Sequence, residues 1–135
     1  MGEPDRDRMD LRAPAQPSSV ASLRRAATAF ATKHGVEDPH VVGLAVSEAV
    51  TNVVLHAYCG RTPGEVRVVA CAEPERLVVV VRDWGAGMRP RPDSPGLGLG
   101  LPTIATLASA FNVEAAEGAG TLLRMHFERR RVCAA

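Results

Sequence analysis

The chain has 135 residues, of which 46% are hydrophobic and 23% are charged, as is ordinary for one globular domain. Its 16 basic and 15 acidic residues give a net charge of +1, so there is no basic excess of the kind a dedicated nucleic-acid binder carries. Three scattered cysteines form neither a disulfide framework nor a zinc motif; we expect Cys59 and Cys71 to be small buried residues and Cys133 a tail thiol.

The N-terminal sequence and the hydropathy indicate where in the cell the protein is expected and where its folded domain begins and ends. The chain begins MGEPDRDRMD, which is charged where a signal peptide is apolar, and no apolar run approaches transmembrane length. We therefore expect a cytoplasmic protein. A disordered N-terminus is predicted for residues 1–8, one folded domain for residues 9–128 and a frayed tail for residues 129–135.

The first half of the chain predicts a short strand followed by two helices. The predicted elements are an edge strand at Met9–Ala13, a first helix capped by Ser18 or Ser19 and ended by Gly35, and a second helix from Asp38-Pro39 to about Tyr58. In the second helix an acid at the N-cap precedes proline at the first helical position, which favours a helix start.

The second half predicts two hairpins on either side of a third helix. The predicted elements are strands at Glu65–Ala72 and Arg76–Arg82, a Gly/Pro-rich stretch over 84–100, a helix from Pro102 to about Phe111, and strands at Val113–Ala116 and Thr121–Glu128. The unbroken run Val78–Val81 predicts a central strand that is covered on both faces or at least well buried. Together these elements predict an α+β fold: a two-layer sandwich in which three helices lie on one face of a mixed, mostly antiparallel sheet.

Glu48 and Asn52 lie one turn apart on the second predicted helix, at the edge of its apolar face. Leu44 and Leu55 fall beyond them, so we expect this helix to be covered on more than one side. A carboxylate beside a carboxamide offers hard oxygen donors for Mg²⁺ and a partly desolvated base. Taken alone, the pair has a simpler interpretation as a helix edge that carries two polar residues.

Asp83 directly follows the most apolar predicted strand, and Gly85 and Gly87 come after it. An acid at a strand end can accept a hydrogen bond from an exocyclic amine such as that of adenine, and glycines allow the backbone to approach a flat ring. A plain turn leaving a strand explains the same residues equally well. Trp84 is expected to form a lid or a pocket wall.

A glycine-rich loop, containing Gly96, Gly98 and Gly100, leads to the helix start at Pro102. Backbone amides at such a place suit phosphates, although a flexible hinge is the alternative. The loop is not a Walker A motif, because no Gly-Lys-Ser/Thr follows, and it does not leave a strand as the dinucleotide motif does. Thr121 opens the last strand, where its hydroxyl can reach a base or simply fill a β position.

The order of these four motifs resembles the GHKL superfamily of ATP-binding proteins, which includes gyrase, heat-shock chaperones, histidine kinases and mismatch-repair ATPases. The segment SEAVTNVVLHAY, the short lid and the compact length are most similar to the anti-sigma-factor serine-protein kinases. The resemblance covers about Leu11 to Phe127. In combination the motifs are far more specific than any one of them.

This resemblance implies a role for each matching residue. Glu48 is implied as the catalytic base and Asn52 as the Mg²⁺ ligand. The implied ATP-binding residues are Asn52, Asp83, Gly85, Gly87, Gly96, Gly98, Gly100 and Thr121. Pro102, where an ordinary hydrophobic residue is expected, and the prolines of the lid depart from the pattern and put turnover in doubt more than binding.

The resemblance also implies the cofactors and partners. ATP and Mg²⁺ are the expected cofactors, and a sigma factor and a small anti-anti-sigma antagonist are the expected partners of a homodimeric, ATP-dependent protein-serine kinase, with no direct contact to nucleic acid or membrane. Two alternatives stay open: an ATP-binding regulatory module without kinase activity, and a stand-alone histidine-kinase-type catalytic domain. The second lacks a phosphoacceptor histidine on a helical hairpin in this sequence and has to act in trans.

Overall fold

The computed structural model describes residues 7–86 and 101–129. These residues form a sheet, three α-helices and a short π-helical segment. In chain order the elements are β1 (Arg8–Pro14), α1 (Pro17–Lys33), α2 (Pro39–Asn52), the π-helical segment (Val53–Ala57), β2 (Glu65–Ala72), β3 (Arg76–Asp83), α3 (Leu101–Leu107), β4 (Ala110–Ala115) and β5 (Thr121–Glu128).

The five described strands form one sheet in the order β1-β2-β3-β5-β4, and each neighbouring pair is antiparallel. The structure thus has the predicted α+β architecture, with β1 as an edge strand and β3 at the centre. Along β3 burial alternates: Leu77, Val79 and Val81 are buried, whereas Val78 and Val80 are only half-buried. The valine run is therefore covered by helices on one face. Of the two predicted alternatives, cover on both faces is wrong, and a buried central strand is what the structure has.

The core lies between that face of the sheet and the helices. α2 packs against both α1 and α3, and its inward side chains Val42, Ala45, Val46, Ala49 and Val50 are fully buried. Such a helix stabilises the fold mainly by burying apolar surface, which is worth about 25 cal/mol per Å², and only a little through intrinsic helix propensity.

The start of α1 corrects the predicted cap. The helix begins at Pro17, and Gln16, not Ser18 or Ser19, occupies the N-cap position. Proline fixes φ near the helical value, and the amide that it lacks is one of those left unpaired at a helix start, so it can open the helix without a serine cap. The Ser19 hydroxyl instead donates to the Pro14 carbonyl over 2.6 Å, which ties the helix to the end of β1.

The boundary between α3 and β4 also differs from the prediction. α3 ends at Leu107 and β4 begins at Ala110, so Phe111 belongs to a strand and not to the third helix. Phe111 pairs with Met125 of β5, and this pairing outweighs the helical pattern of the local sequence. Cys59 is exposed and Cys71 half-buried, so the expectation that both are buried is wrong.

The helix Pro39–Ala57 is long and apolar enough, by length and composition, to cross a membrane, contrary to the expectation that no apolar run approaches that length. Half of its most apolar window is buried inside the fold, as in the core helix of a globular domain. The helix packs against both α1 and α3, so the prediction that it is covered on more than one side is confirmed, with Leu44 half-buried. Leu55 has 59% of its surface exposed and takes no part in that cover among the described residues.

Candidate functional site

Asp83 ends β3 with its carboxylate almost fully buried, at 1% exposure. The burial raises the pKa of this carboxyl above its ordinary value, while hydrogen bonds from the backbone N–H groups of Gly85 and Thr121 oppose the rise. The Gly85 bond measures 2.9 Å from nitrogen to Oδ1. Asp83 is thus a desolvated hydrogen-bond acceptor held by backbone amides at the end of the central strand.

Two glycines allow the backbone to close around Asp83. A Cβ at Gly85 would lie 2.0 Å from the Ala57 carbonyl oxygen, and one at Gly120 would lie 2.0 Å from the Asp83 carbonyl oxygen. Gly120 also has φ of +92°, which side chains rarely adopt. Only glycine therefore permits this contact between the helix end, the end of β3 and the start of β5.

The end of the π-helical segment is bonded directly to residues 83–86, which we call the Asp83 segment. The Ala57 carbonyl, which has no partner within the helix, accepts from the Ala86 amide at 2.7 Å. The Tyr58 hydroxyl accepts from the Trp84 amide at 3.0 Å. Sequence reasoning gave Tyr58 no role beyond marking the helix end; the signal available was the position of the chain's one tyrosine, between the helix and Gly60.

Asn52 and Glu48 lie further back along the same helix. Asn52 is 4% exposed, and its side-chain nitrogen has no hydrogen-bond partner among the described residues. Glu48 is partly buried one turn earlier. At the α-helical rise of 1.5 Å per residue, Glu48 lies about 6 Å along the helix axis from Asn52, and the π-helical segment separates Asn52 from the helix end. One continuous helical run therefore carries these two groups and, at its end, is bonded to the Asp83 segment.

The Asn52 carboxamide suits a ligand that consists of a metal ion bound to an anionic group. An unpaired buried donor costs about 1–3 kcal/mol, so a site that retains one favours a partner supplied from outside. The carboxamide oxygen is a hard donor suited to Mg²⁺, and the NH₂ group can donate to a phosphate oxygen. No cluster of three or more His, Cys, Asp or Glu side chains able to hold a metal occurs in residues 7–86 and 101–129. A magnesium ion here would take most of its ligands from phosphate oxygens and water, as Mg²⁺ commonly does.

The structure brings some of the predicted site residues together and does not describe others. Asp83, Gly85 and Thr121 meet at the ends of β3 and β5, with Thr121 buried at 4% exposure. A cavity of about 330 Å³ opens beside Ala86 and Thr121. The remaining predicted residues, Gly87, Gly96, Gly98 and Gly100, lie outside the described residues.

Trp84 lies apart from these groups. Its ring lies against two guanidinium groups, 4.7 Å from that of Arg82 and 5.4 Å from that of Arg12. Arg12, Arg67 and Arg82 form a row across β1, β2 and β3, with Arg67 in the middle. This row lies on the sheet face away from the helices. Trp84 is thus held over the outer face, and its predicted role as a lid or pocket wall is wrong.

Comparison with known proteins gives the family. Residues 13–127 match the family model described as "Histidine kinase-like ATPase domain". The chain is 30% identical to a "Serine-protein kinase RsbW" of Bacillus licheniformis over 93% of this chain and 89% of that protein. It is also 30% identical to an "Anti-sigma F factor" of Clostridium beijerinckii over 85% of this chain and 90% of that protein. The chain therefore belongs to the histidine kinase-like ATPase family, and the resemblance to its anti-sigma-factor kinases is confirmed.

Proposed function

We propose that this member of the histidine kinase-like ATPase family is an ATP-dependent protein-serine kinase and an anti-sigma factor. It phosphorylates an anti-anti-sigma antagonist and binds a sigma factor. The names of the relatives support both activities. The structural observation that carries the proposal is the junction between the helix end and the Asp83 segment, because it joins the helix that carries the unpaired amide of Asn52 to the segment that carries the buried acceptor Asp83.

Asp83 is proposed to receive the adenine. Its buried carboxylate can accept a hydrogen bond from the exocyclic amine, and a buried acceptor discriminates strongly against a base that presents no donor there. Gly85 is proposed to shape the base pocket. It lets the Asp83 segment lie against the helix end, where any side chain at this position would clash. Thr121 lies beside Asp83 in the neighbouring strand and is proposed to support the adenine site. Gly87 is assigned to the same base pocket from the family pattern.

Asn52 is proposed to hold the magnesium ion through its carboxamide oxygen and to donate to a phosphate through its NH₂ group. Mg²⁺, when bound, neutralises charge on the phosphates and orients them for transfer. Gly96, Gly98 and Gly100 are assigned to the phosphates from the family pattern, since backbone amides of glycine-rich loops suit that role.

Glu48 is proposed to act as the base. The serine hydroxyl of the antagonist loses its proton to the Glu48 carboxylate as its oxygen bonds to the γ-phosphorus. The bond from that phosphorus to the β,γ-bridging oxygen breaks, and ADP leaves. Because Glu48 is only partly buried, a loop of a protein substrate can reach it from the solvent.

The partners and the setting complete the proposal. A sigma factor is held by the kinase, and the antagonist is both substrate and competitor. We further propose a homodimer acting in the cytoplasm, in keeping with the family resemblance.

Pull-down from the native host, with and without Mg-ATP, followed by phosphosite mapping, tests the function. We expect an antagonist that carries acid-stable phosphate on serine and a sigma factor that is captured by the same bait. Acid-labile phosphate would favour the histidine-kinase alternative. Tight binding of ATP without transfer to any captured protein would favour the regulatory module and contradict the proposed kinase.

A further inference from the structure

Tyr58 is bonded to two segments that are distant in sequence. Its hydroxyl donates to the Glu65 carbonyl at 2.6 Å, at the start of β2, and accepts from the Trp84 amide at 3.0 Å. A phenol has one donor and can accept, so these two bonds use its donor and one lone pair. Burial raises the pKa of the Tyr58 hydroxyl above its ordinary value, which keeps the proton in place at neutral pH.

The ring is held as firmly as the hydroxyl. A Cβ at Gly64 would lie 2.5–2.8 Å from atoms of the phenol, so the chain before β2 passes directly over the ring. The π-helical segment ends at Ala57 immediately before Tyr58, and the Ala57 carbonyl accepts from the Ala86 amide. The backbone amides of Trp84 and Ala86 are therefore both bonded to residues 57–58.

These contacts fix the backbone that presents Asp83. Between the two anchored amides lies Gly85, whose own amide donates to the Asp83 carboxylate. Release of the Trp84 amide would free one side of that turn and leave a part-buried donor unpaired. The orientation of the Asp83 carboxylate thus depends on a hydroxyl that does not itself touch it.

We propose that Tyr58 is a positioning residue for base recognition: through the Trp84 amide it holds Asp83 in the orientation that selects adenine. The inference rests on the nucleotide binding of the proposed function, but not on phosphoryl transfer. Tyr58 acts on the base end alone, because its bonds reach β2 and the Asp83 segment and none reaches Glu48 or Asn52.

The test compares wild type with Tyr58→Phe by calorimetry using Mg-ATP, Mg-GTP and magnesium tripolyphosphate, which carries phosphates without a base. The variant keeps the ring and loses only the hydroxyl. We expect its ATP affinity to fall by about tenfold or more, because the Asp83 segment is no longer held in the binding orientation before ATP arrives, and its preference for ATP over GTP to shrink accordingly. Tripolyphosphate affinity should stay within about twofold, since the phosphate end is untouched.

Two further variants separate positioning from general loss of stability. Val42→Ala truncates a fully buried side chain at the other end of α2 and should lower the unfolding midpoint without changing the ATP-to-GTP preference. Gly64→Ala displaces the phenol ring and should reproduce the selective loss of ATP affinity seen for Tyr58→Phe.

The outcomes are distinct from those that test the kinase. Wild-type affinity and base preference in Tyr58→Phe would overturn the positioning role, as would an equal loss of ATP and tripolyphosphate affinity. A wild-type protein that binds Mg-ATP selectively but transfers no phosphate, together with the base-specific loss in Tyr58→Phe, would contradict the kinase and support the role of Tyr58. A wild-type protein that does not bind Mg-ATP would overturn both.

Discussion

Asp83 and Asn52 are both buried polar side chains of the candidate site, yet only Asp83 has its hydrogen bonds made within the fold. Asp83 accepts from backbone amides on two strand ends, and its segment is bonded again to the end of the helix. The Asn52 nitrogen has no partner in the described residues. Glu48, one turn from Asn52, remains partly open to solvent.

This contrast indicates two different ways of preparing a site. The Asp83 end is preorganised, because close backbone contacts and glycines fix its geometry before a ligand arrives. The Asn52 end keeps an unpaired polar group, which favours a ligand that completes its hydrogen bonds and adds charge. We therefore expect substitutions at the two ends to affect different steps.

Glu48→Gln gives the largest expected effect. Gln keeps the shape of the side chain and removes the base, so we expect the rate of phosphoryl transfer to fall by about 10²–10⁴-fold. The affinity for Mg-ATP should stay within about threefold, because the proposed role of Glu48 is in the reaction and not in binding. Labelled γ-phosphate transfer and calorimetry measure the two quantities. Transfer at the wild-type rate would show that Glu48 is not the base.

Asn52→Leu tests the incomplete end of the site directly. Leu is similar in size and removes a charge-assisted contact, so Mg-ATP affinity should fall by about 10–100-fold. The unfolding midpoint without nucleotide should not fall, because the variant also removes a buried unpaired donor. Titrations with Mg²⁺ and with EDTA show whether the metal still strengthens ATP binding. If Mg²⁺ strengthens binding in the variant as in wild type, the metal role of Asn52 is wrong.

Gly85→Ala tests the preorganised end. The added Cβ would meet the Ala57 carbonyl oxygen at 2.0 Å, so the Asp83 segment must move away from the helix. We expect the free energy of unfolding to fall by about 1–3 kcal/mol and ATP affinity to fall with it.

Gly60→Ala is the matched control for this variant. Gly60 has a positive φ of +74°, but the space that its Cβ would occupy is open, so the substitution costs backbone strain of about 1–2 kcal/mol without moving the Asp83 segment. It should lose stability and keep its ATP affinity. An equal loss of ATP affinity in both variants would show that the loss follows from stability alone.

The sequence predicted most of the fold, because the patterns that define it are local. The Asp38-Pro39 start, the strand Glu65–Ala72 and the strand Thr121–Glu128 all occur where proline, apolar alternation and flanking turns place them. The end of the third helix could not be predicted in this way. Phe111 continues a helical pattern, and only its pairing with Met125 makes it part of a strand.

The sequence also predicted Asp83 and Asn52 as site residues, but not the contacts that join the Asp83 segment to the helix end. The widened helical turn at Val53–Ala57 leaves no clear pattern in the sequence, and the bond from Ala86 to Ala57 spans elements that are distant along the chain. Tyr58 was missed for the same reason, since its partners at Glu65 and Trp84 are known only once the sheet has formed.

Asp83→Asn gives the smallest expected effect on stability, and that effect depends on pH. Burial raises the pKa of Asp83 in the folded state, so the native protein binds this proton more tightly than the unfolded chain. The favourable contribution of Asp83 is therefore complete below its ordinary pKa of about 3.9 and is lost as the pH rises through the raised value. Without nucleotide, Asp83→Asn should be more stable than wild type at pH 7, and the difference should shrink towards pH 4.

Asp10→Asn supplies a control of opposite sign. The ion pair with Arg67 lowers the pKa of Asp10, so its contribution is present above the ordinary pKa and is lost as the pH falls through the lowered value. Urea unfolding of both variants between about pH 3 and pH 7 should give differences from wild type that run in opposite directions. Parallel curves would contradict the view that the Asp83 end holds its carboxylate at a cost to stability. Opposite slopes of stability against pH, with ATP affinity lost only in Asp83→Asn, would show that the stability cost of the buried Asp83 carboxylate serves the preorganised recognition of the base.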